Sequence, residues 1–374
     1  MGGLKLWMVA LVVAVIGSNP VDASTDVRLI AEDESALTAR TMDAQSGVNS
    51  RVIIQPRKAQ FISPAPNDKA GLAWMGKYGF VYLDGFDLAV PMDGLNEVGL
   101  GMGALLLPGY TEYVAIGPND SPIALSNLQF GAWILSQFAT VEEVRLALST
   151  VKVWGEPVPV FNDAFMPLRY VIHDANGSSL IVEFVEGNPR VYENEVGVLT
   201  NAPSYDWHLT NLQNYQQLSP VSTVSSETGT TSVGMTGQGS GWTGLPGDPT
   251  STSRFVATAM TLAALPAPTD AVDALVMAQT LINRLEIPRG LVQYMTSNGV
   301  IEGDYTQWSV FRDHTNKVLY WRTEQDMTLR SLDLTTVDFD LATSRRVLPI
   351  ATEAPTILPV DISTFTVEAD SVTE

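Results

Sequence analysis

Ser24 is the one residue of this chain with the means to act as a nucleophile without a histidine or cysteine beside it. The segment before it, from Met1 to Ala23, carries a single lysine, Lys5, and an apolar run from Leu6 to Ile16. Gly17-Ser18-Asn19-Pro20-Val21-Asp22-Ala23 follows. This reads as a secretory leader. Val21 and Ala23 suit signal peptidase, which places cleavage before Ser24. The apolar run, about eleven residues, is short for a bilayer span, which weighs against an uncleaved anchor. Cleavage would give Ser24 both a hydroxyl and a free α-amine. An α-amine has a pKa of roughly 7.7–8.0, so it can take the proton of its own side chain near neutral pH. That is an established way of activating a weak hydroxyl nucleophile.

Other chemistries find less support. Cysteine is absent, which excludes disulfides, zinc–thiolate sites and iron–sulfur clusters. The three histidines, His173, His208 and His314, are far apart and none lies in an HExxH pattern. No GxSxG elbow occurs. Gly71 to Lys77 spells GxxxxGK, but Tyr78 stands where a magnesium-binding Ser or Thr belongs. Gly239 to Gly244 spells GxGxxG without a preceding strand. Both are read as chance. With 21 Lys and Arg against 41 Asp and Glu, the net charge is −20. The leader holds one Lys and one Asp, so its loss leaves that balance unchanged. Such a chain lacks the basic clusters that phosphate contacts require, so no nucleic-acid partner is expected. A hydrophobic content of 45% is ample for a large core.

The elements that must position Ser24 are mostly strands. From Val27 to Val182 the chain reads as short apolar runs between turn signals. Strands are expected at 52–54, 60–62, 71–75, 80–83, 99–104, 169–173 and 180–185. Helical spacing runs from Ile123 to Phe138, and Thr140-Val141-Glu142-Glu143 is a capping box opening a second helix through Leu148. Ser219 to Ser253, rich in Ser, Thr and Gly, reads by composition as a linker or long loop. Two more helices are expected at 254–265 and 270–285, and a final hairpin at 305–310 and 318–322. The tail from Pro349 is acidic and contains prolines, which predicts a loosely held segment, 349–374. Strands and helical pairs in this order imply an α+β protein with sheets covered by helices.

A set of short motifs falls in order along this framework. Ala23-Ser24-Thr25 is followed by Thr38-Ala39-Arg40-Thr41-Met42-Asp43, Asp93-Gly94-Leu95-Asn96-Glu97-Val98-Gly99-Leu100 and Leu106-Leu107-Pro108-Gly109-Tyr110. Leu199-Thr200-Asn201-Ala202-Pro203, Thr210 to Tyr215, and Gly244-Leu245-Pro246-Gly247-Asp248 running into Ser253-Arg254-Phe255 complete it. The series resembles the choloylglycine hydrolase family of penicillin V acylases and bile salt hydrolases, from Ser24 to about Phe339. The resemblance implies an N-terminal-nucleophile hydrolase: a four-layer αββα sandwich over 24–348, two antiparallel sheets between helical layers. It implies hydrolysis of linear amides without cofactor or metal, a small-molecule N-acyl amide as substrate, no stable membrane anchor after cleavage, and a homotetramer.

Carried over by motif, Ser24 takes the nucleophile's place. Asp43 would hold the α-amine and Arg40 would line the site beside the nucleophile. The side-chain amide of Asn201 and the backbone N–H of Leu106 would donate to the oxyanion, and Arg254 would support the charged site. The resemblance also implies that the loop Gly237 to Asp248 folds back against the core or a neighbouring subunit. Three residues depart from the family pattern. Serine replaces the usual cysteine, which leaves open a serine amidase or a non-catalytic binding protein on the same fold. Ala44 stands where many members carry Trp, implying a wider pocket. Leu106 replaces the Asn of bile salt hydrolases, implying an apolar wall suited to an acyl chain or aryl group.

Overall fold

The computed structural model describes residues 24–351, except 46, 223–225, 229, 235–236, 297–298 and 341–343. The leader, 1–23, and the tail from 352 lie outside the described residues.

Two large sheets, each antiparallel throughout, form the centre. Across the first sheet the strands run Val198–Leu199, Ser24–Ile30, Ala36–Ala44, Tyr305–Asp313, Val318–Thr323 and Asp326–Asp333. Across the second they run Asn188–Glu193, Ser179–Val185, Leu168–His173, Gly101–Leu106, Asp93–Asn96, Phe80–Leu83, Arg51–Gln55 and Arg346–Pro349. Helices α1 (Asn127–Gln137) and α2 (Val141–Ala147) cover the second sheet. After α3 (Tyr205–Leu212), helices α4 (Ser251–Ala264) and α5 (Ala271–Leu285) cover the first. This is the expected αββα order. Among the described residues no helix is long and apolar enough to cross a membrane.

The strand Ala36–Ala44 shows why the layers form. It is buried along its whole length, and successive side chains alternate between faces. Leu37 and Ala39 pack with Phe311 against Ala274, Ala278 and Ile282 of α5. Met42 and Ala44 pack instead with Met102, Ala104 and Trp308 between the sheets. Thr38 and Arg40 share that inter-sheet face, so polar groups are carried into the middle of the sandwich.

Several elements keep the boundaries the pattern predicts: Phe80–Leu83 is matched residue for residue, and α5 starts one residue after its Asp270 cap. The first helix begins at Asn127, four residues later than expected, because Ser126 caps it by accepting from Leu128 N–H. Ser121–Ile123 forms a 3₁₀ turn and Ala124–Ser126 a short strand instead. Thr140 caps α2 as expected, and the Glu143 carboxylate accepts from the Ala139 N–H rather than from Thr140. The Gly-rich loop closes on itself through Ser219 N–H to Gly241 carbonyl. Its end, Pro246–Asp248, returns to α4 and α5, where it lines a cavity of about 300 Å³. Pro349 lies in the edge strand Arg346–Pro349, and the Ile350 carbonyl accepts from Trp321 Nε1, so the chain is held across 349–350.

Candidate active site

Ser24 opens the first strand and pairs in register with Met42. Its side chain therefore lies on the inter-sheet face, beside that of Arg40. The residue is 2% exposed. Arg40 reaches across from the second strand. Its Nη2 lies 3.4 Å from Ser24 Oγ and donates to the Ala104 carbonyl at 2.5 Å, while Nη1 donates to the Met92 carbonyl at 2.7 Å. One guanidinium thus ties the Ser24 end of the first sheet to the strand Gly101–Leu106 and to the residue just before the strand Asp93–Asn96. Burial pulls the Arg40 pKa down, opposed by the carboxylate of Asp93; it stays charged, as arginine does in proteins.

From the opposite side, Arg254 in the first turn of α4 fixes the Ser24 backbone. Its Nη1 donates to the Ser24 carbonyl at 2.8 Å and contacts Thr25 Oγ1, and its Nη2 donates to Asn201 Oδ1 at 3.3 Å. The same Asn201 oxygen accepts from the Ser24 nitrogen at 2.5 Å. Asn201 Nδ2 donates to the Leu106 carbonyl at 3.0 Å. Ser24, Arg40, Asn201, Arg254 and Leu106 therefore form one connected group, drawn from both sheets, a loop and a helix.

Asp43 stands apart from that group in one respect. It shares the helix-facing side of its strand with Thr41, and its carboxylate accepts from Thr41 Oγ1 at 2.9 Å and Thr306 Oγ1 at 2.5 Å. The Ser24 nitrogen bonds to Asn201, not to Asp43. In the chain that still carries Ala23 this nitrogen is a peptide N–H with a single proton to give, and Asn201 takes it. Burial raises the Asp43 pKa to about 6, against the pull of Arg254. Leu106 likewise meets the site through its carbonyl, at the end of a strand paired with Leu168.

A supporting shell behind Asn201 was not legible in the sequence. The Asn201 carbonyl accepts from Arg169 Nη2 at 2.6 Å, His208 Nε2 at 2.8 Å and Ser251 Oγ at 2.8 Å. Arg169 is fully buried, contacts the Thr200 carbonyl and pairs with Glu183 at 2.7 Å. Burial lowers the His208 pKa to about 3, so the ring is neutral and carries its proton on Nε2. Among the described residues no group of three or more His, Asp or Glu could hold a metal ion.

Two antiparallel sheets between helical layers, with a serine at the head of an inner strand, define the N-terminal-nucleophile hydrolase fold. The chain belongs to the linear amide C–N hydrolases of the choloylglycine hydrolase family, whose model matches residues 24–345. It is similar to a bile salt hydrolase/transferase of Clostridium perfringens, 29% identical over 322 residues, covering 84% of this chain and 94% of the relative. A conjugated bile acid hydrolase of Lactobacillus gasseri is 27% identical over 316 residues, covering 83% and 95%. Among solved structures, a variant of the conjugated bile acid hydrolase from Clostridium perfringens superposes with a TM-score of 0.78 at 27% identity, covering 90% of this chain and all of that one. Penicillin V acylase from Agrobacterium tumefaciens shares the fold, with a TM-score of 0.70 at 24% identity over 87% and 92% of the two chains.

Proposed function

We propose that this protein is an exported amidase in which Ser24, freed by leader cleavage, is the nucleophile. The observation that carries this reading is the convergence of Arg40, Asn201 and Arg254 on one buried serine that opens an inner strand. A second observation supports it. The bile acid hydrolase from Clostridium perfringens has been solved with a cysteine replaced by alanine and with an arginine sixteen positions further on replaced by leucine. Ser24 and Arg40 stand at that same separation.

The chemistry follows from the groups at hand. The Ser24 hydroxyl gives its proton to the α-amine as Oγ bonds to the amide carbonyl carbon. The nearby guanidinium charges of Arg40 and Arg254 favour a neutral amine, the form able to accept that proton. Negative charge on the carbonyl oxygen is met by Asn201, whose Nδ2 has a second hydrogen beyond the one given to Leu106, and by the Leu106 N–H. The amine returns the proton to the leaving nitrogen as the C–N bond breaks. Water then attacks the ester and gives a proton to the amine, which passes it to Ser24 Oγ as the ester C–O bond breaks and the acid departs.

Ala44 lies packed in the core between the sheets and opens no pocket, so the apolar Leu106 carries the preference for N-acyl amides with an alkyl or aryl acyl group, such as acyl homoserine lactones and phenoxyacetyl or phenylacetyl amides. Secretion or a periplasmic location, loss of the leader and a tetrameric assembly belong to the same proposal. The test is hydrolysis of a panel holding penicillin V, acyl homoserine lactones and conjugated bile acids, after the N-terminus is confirmed by intact mass. Turnover abolished in Ser24→Ala is the expected result. A chain that starts at Ser24, hydrolyses nothing and regains turnover as Ser24→Cys would instead mark a binding protein that has lost its nucleophile but kept its pocket.

A further inference from the structure

Behind Arg40 the sheets are joined by a line of charges that the amide chemistry above does not use. Asp26 faces Arg40 in register across the first two strands. Its carboxylate nevertheless turns to Arg312, which it contacts, and to His173 Nε2 at 2.8 Å. Arg312 Nη1 lies 3.4 Å from Asp93 Oδ2, and Arg40 Nη1 lies 3.4 Å from the same oxygen. The side chains of Asp26, Arg312, Asp93 and Arg40 are each 0% exposed. The signs alternate along this line, which ends at Ser24 Oγ. The neighbouring histidines add no charge: burial lowers the pKa of His173, and that of His314 further still. The other acceptors of Arg40, the Met92 and Ala104 carbonyls, are neutral. Asp93 is thus the countercharge that Arg40 touches, and it shares it with Arg312.

We propose that Asp93 is a positioning residue for the nucleophile: it fixes the Arg40 guanidinium against Ser24 Oγ and sets the charge that this oxygen experiences. The inference rests on reading Ser24 as the nucleophile and deepens that reading. A buried guanidinium without its countercharge is costly, and its full field then falls on what lies next to it. Ser24 Oγ lies next to it. The groups that face Asp93 are Arg40 from the second strand, Arg312 from the Tyr305–Asp313 strand and Asp26 from the first. Asp43 and Arg254 stand on the helix side of Ser24.

The experiment uses the protein beginning at residue 24 in its Ser24→Cys form, so that alkylation by iodoacetamide reports the thiolate directly. Adding Asp93→Asn leaves Arg40 uncompensated and is expected to lower the thiol pKa by about one unit. Alkylation at a pH below both values then rises about tenfold. In the Ser24 protein the same substitution is expected to lower kcat with little change in KM, because Asp93 acts through Arg40 and touches no substrate. A thiol profile that superimposes on that of the parent overturns the proposal. Should Asp93→Asn not fold, Arg312→Gln is measured in its place. Withdrawing the competing cation leaves Asp93 to Arg40 alone, so alkylation is expected to slow, and an unmoved profile again overturns the proposal. Alkylation needs no turnover, so a chain inactive on the whole panel still answers for Asp93. An active amidase with an unmoved profile refutes Asp93 and leaves the amidase reading standing.

Discussion

Asn201 is held by its own carbonyl as well as by its side chain: three donors from three different elements meet that carbonyl. Those donors are unequal. Ser251→Ala removes one neutral hydrogen bond and is expected to cost about 1 kcal/mol, read as a small shift in the urea midpoint. Arg169→Met leaves Glu183 buried without its partner and is expected to cost about 3–5 kcal/mol. Arg254→Lys keeps a charge but loses the fork that spans the Ser24 carbonyl, Thr25 and Asn201. On the proposed mechanism it is expected to lower kcat on the order of 100-fold, measured at saturating substrate. Asp43, with its pKa near 6, titrates within the working range. Its negative charge acts on Arg254, which holds the Ser24 carbonyl, so on the proposed mechanism kcat/KM is expected to fall as pH drops through about 6, and Asp43→Asn is expected to abolish that limb together with most activity.

At the scale of elements, the caps carry testable weight. Asp270 accepts from both Val272 N–H and Asp273 N–H at the start of α5, the helix that covers the strands of Ser24 and Arg40. Asp270→Ala is expected to cost about 1–2 kcal/mol, and Thr140→Ala about 1 kcal/mol through α2, each by urea denaturation. The Thr140 cap could be read from the sequence because a cap is a local event: its donor and acceptor lie within three residues. The strands Ser24–Ile30 and Ala36–Ala44 could not. Both are buried on both faces, and the face between the sheets holds Asp26, Thr38 and Arg40. Their polar and apolar residues therefore follow no alternation between core and solvent. Hidden for the same reason were Arg169, Glu183, His208, Asp93 and Arg312, whose roles depend on pairing across more than one layer. Ser24, Arg40, Asn201 and Arg254 were found because the ordered motifs supplied the long-range relation that spacing alone does not.

The whole molecule stores titratable groups in its interior, and they answer acid in opposite directions. Burial raises Asp43, Asp93 and Asp304 each to about 6. Carboxyls whose native pKa exceeds the unfolded value stabilise the native state when protonated. That stabilisation is complete below about 4 and is lost as pH rises through about 6. Asp26, lowered by Arg312 and His173 against its burial, works in the other direction. So do His173, His208 and His314: burial keeps them neutral in the native state, whereas the unfolded chain protonates them below about pH 6.5. Asp304 offers the cleanest check: it is 1% exposed and its Oδ1 has no hydrogen-bond partner. Asp304→Asn is expected to stabilise the protein by about 2 kcal/mol at pH 8, by about half as much at pH 5, and to change little below about pH 4. The first strand carries a further consequence. Seven consecutive pairs, Ser24 with Met42 through Ile30 with Ala36, lock its register. A leader trimmed one residue early would leave every one of those pairs intact and the fold unaltered. The amine, however, would be displaced one strand step, about 3.3 Å, from the hydroxyl it must serve. Folding cannot detect that error, so on the proposed reading the fidelity of one peptidase cut, rather than the stability of the sandwich, sets what fraction of the secreted molecules can work.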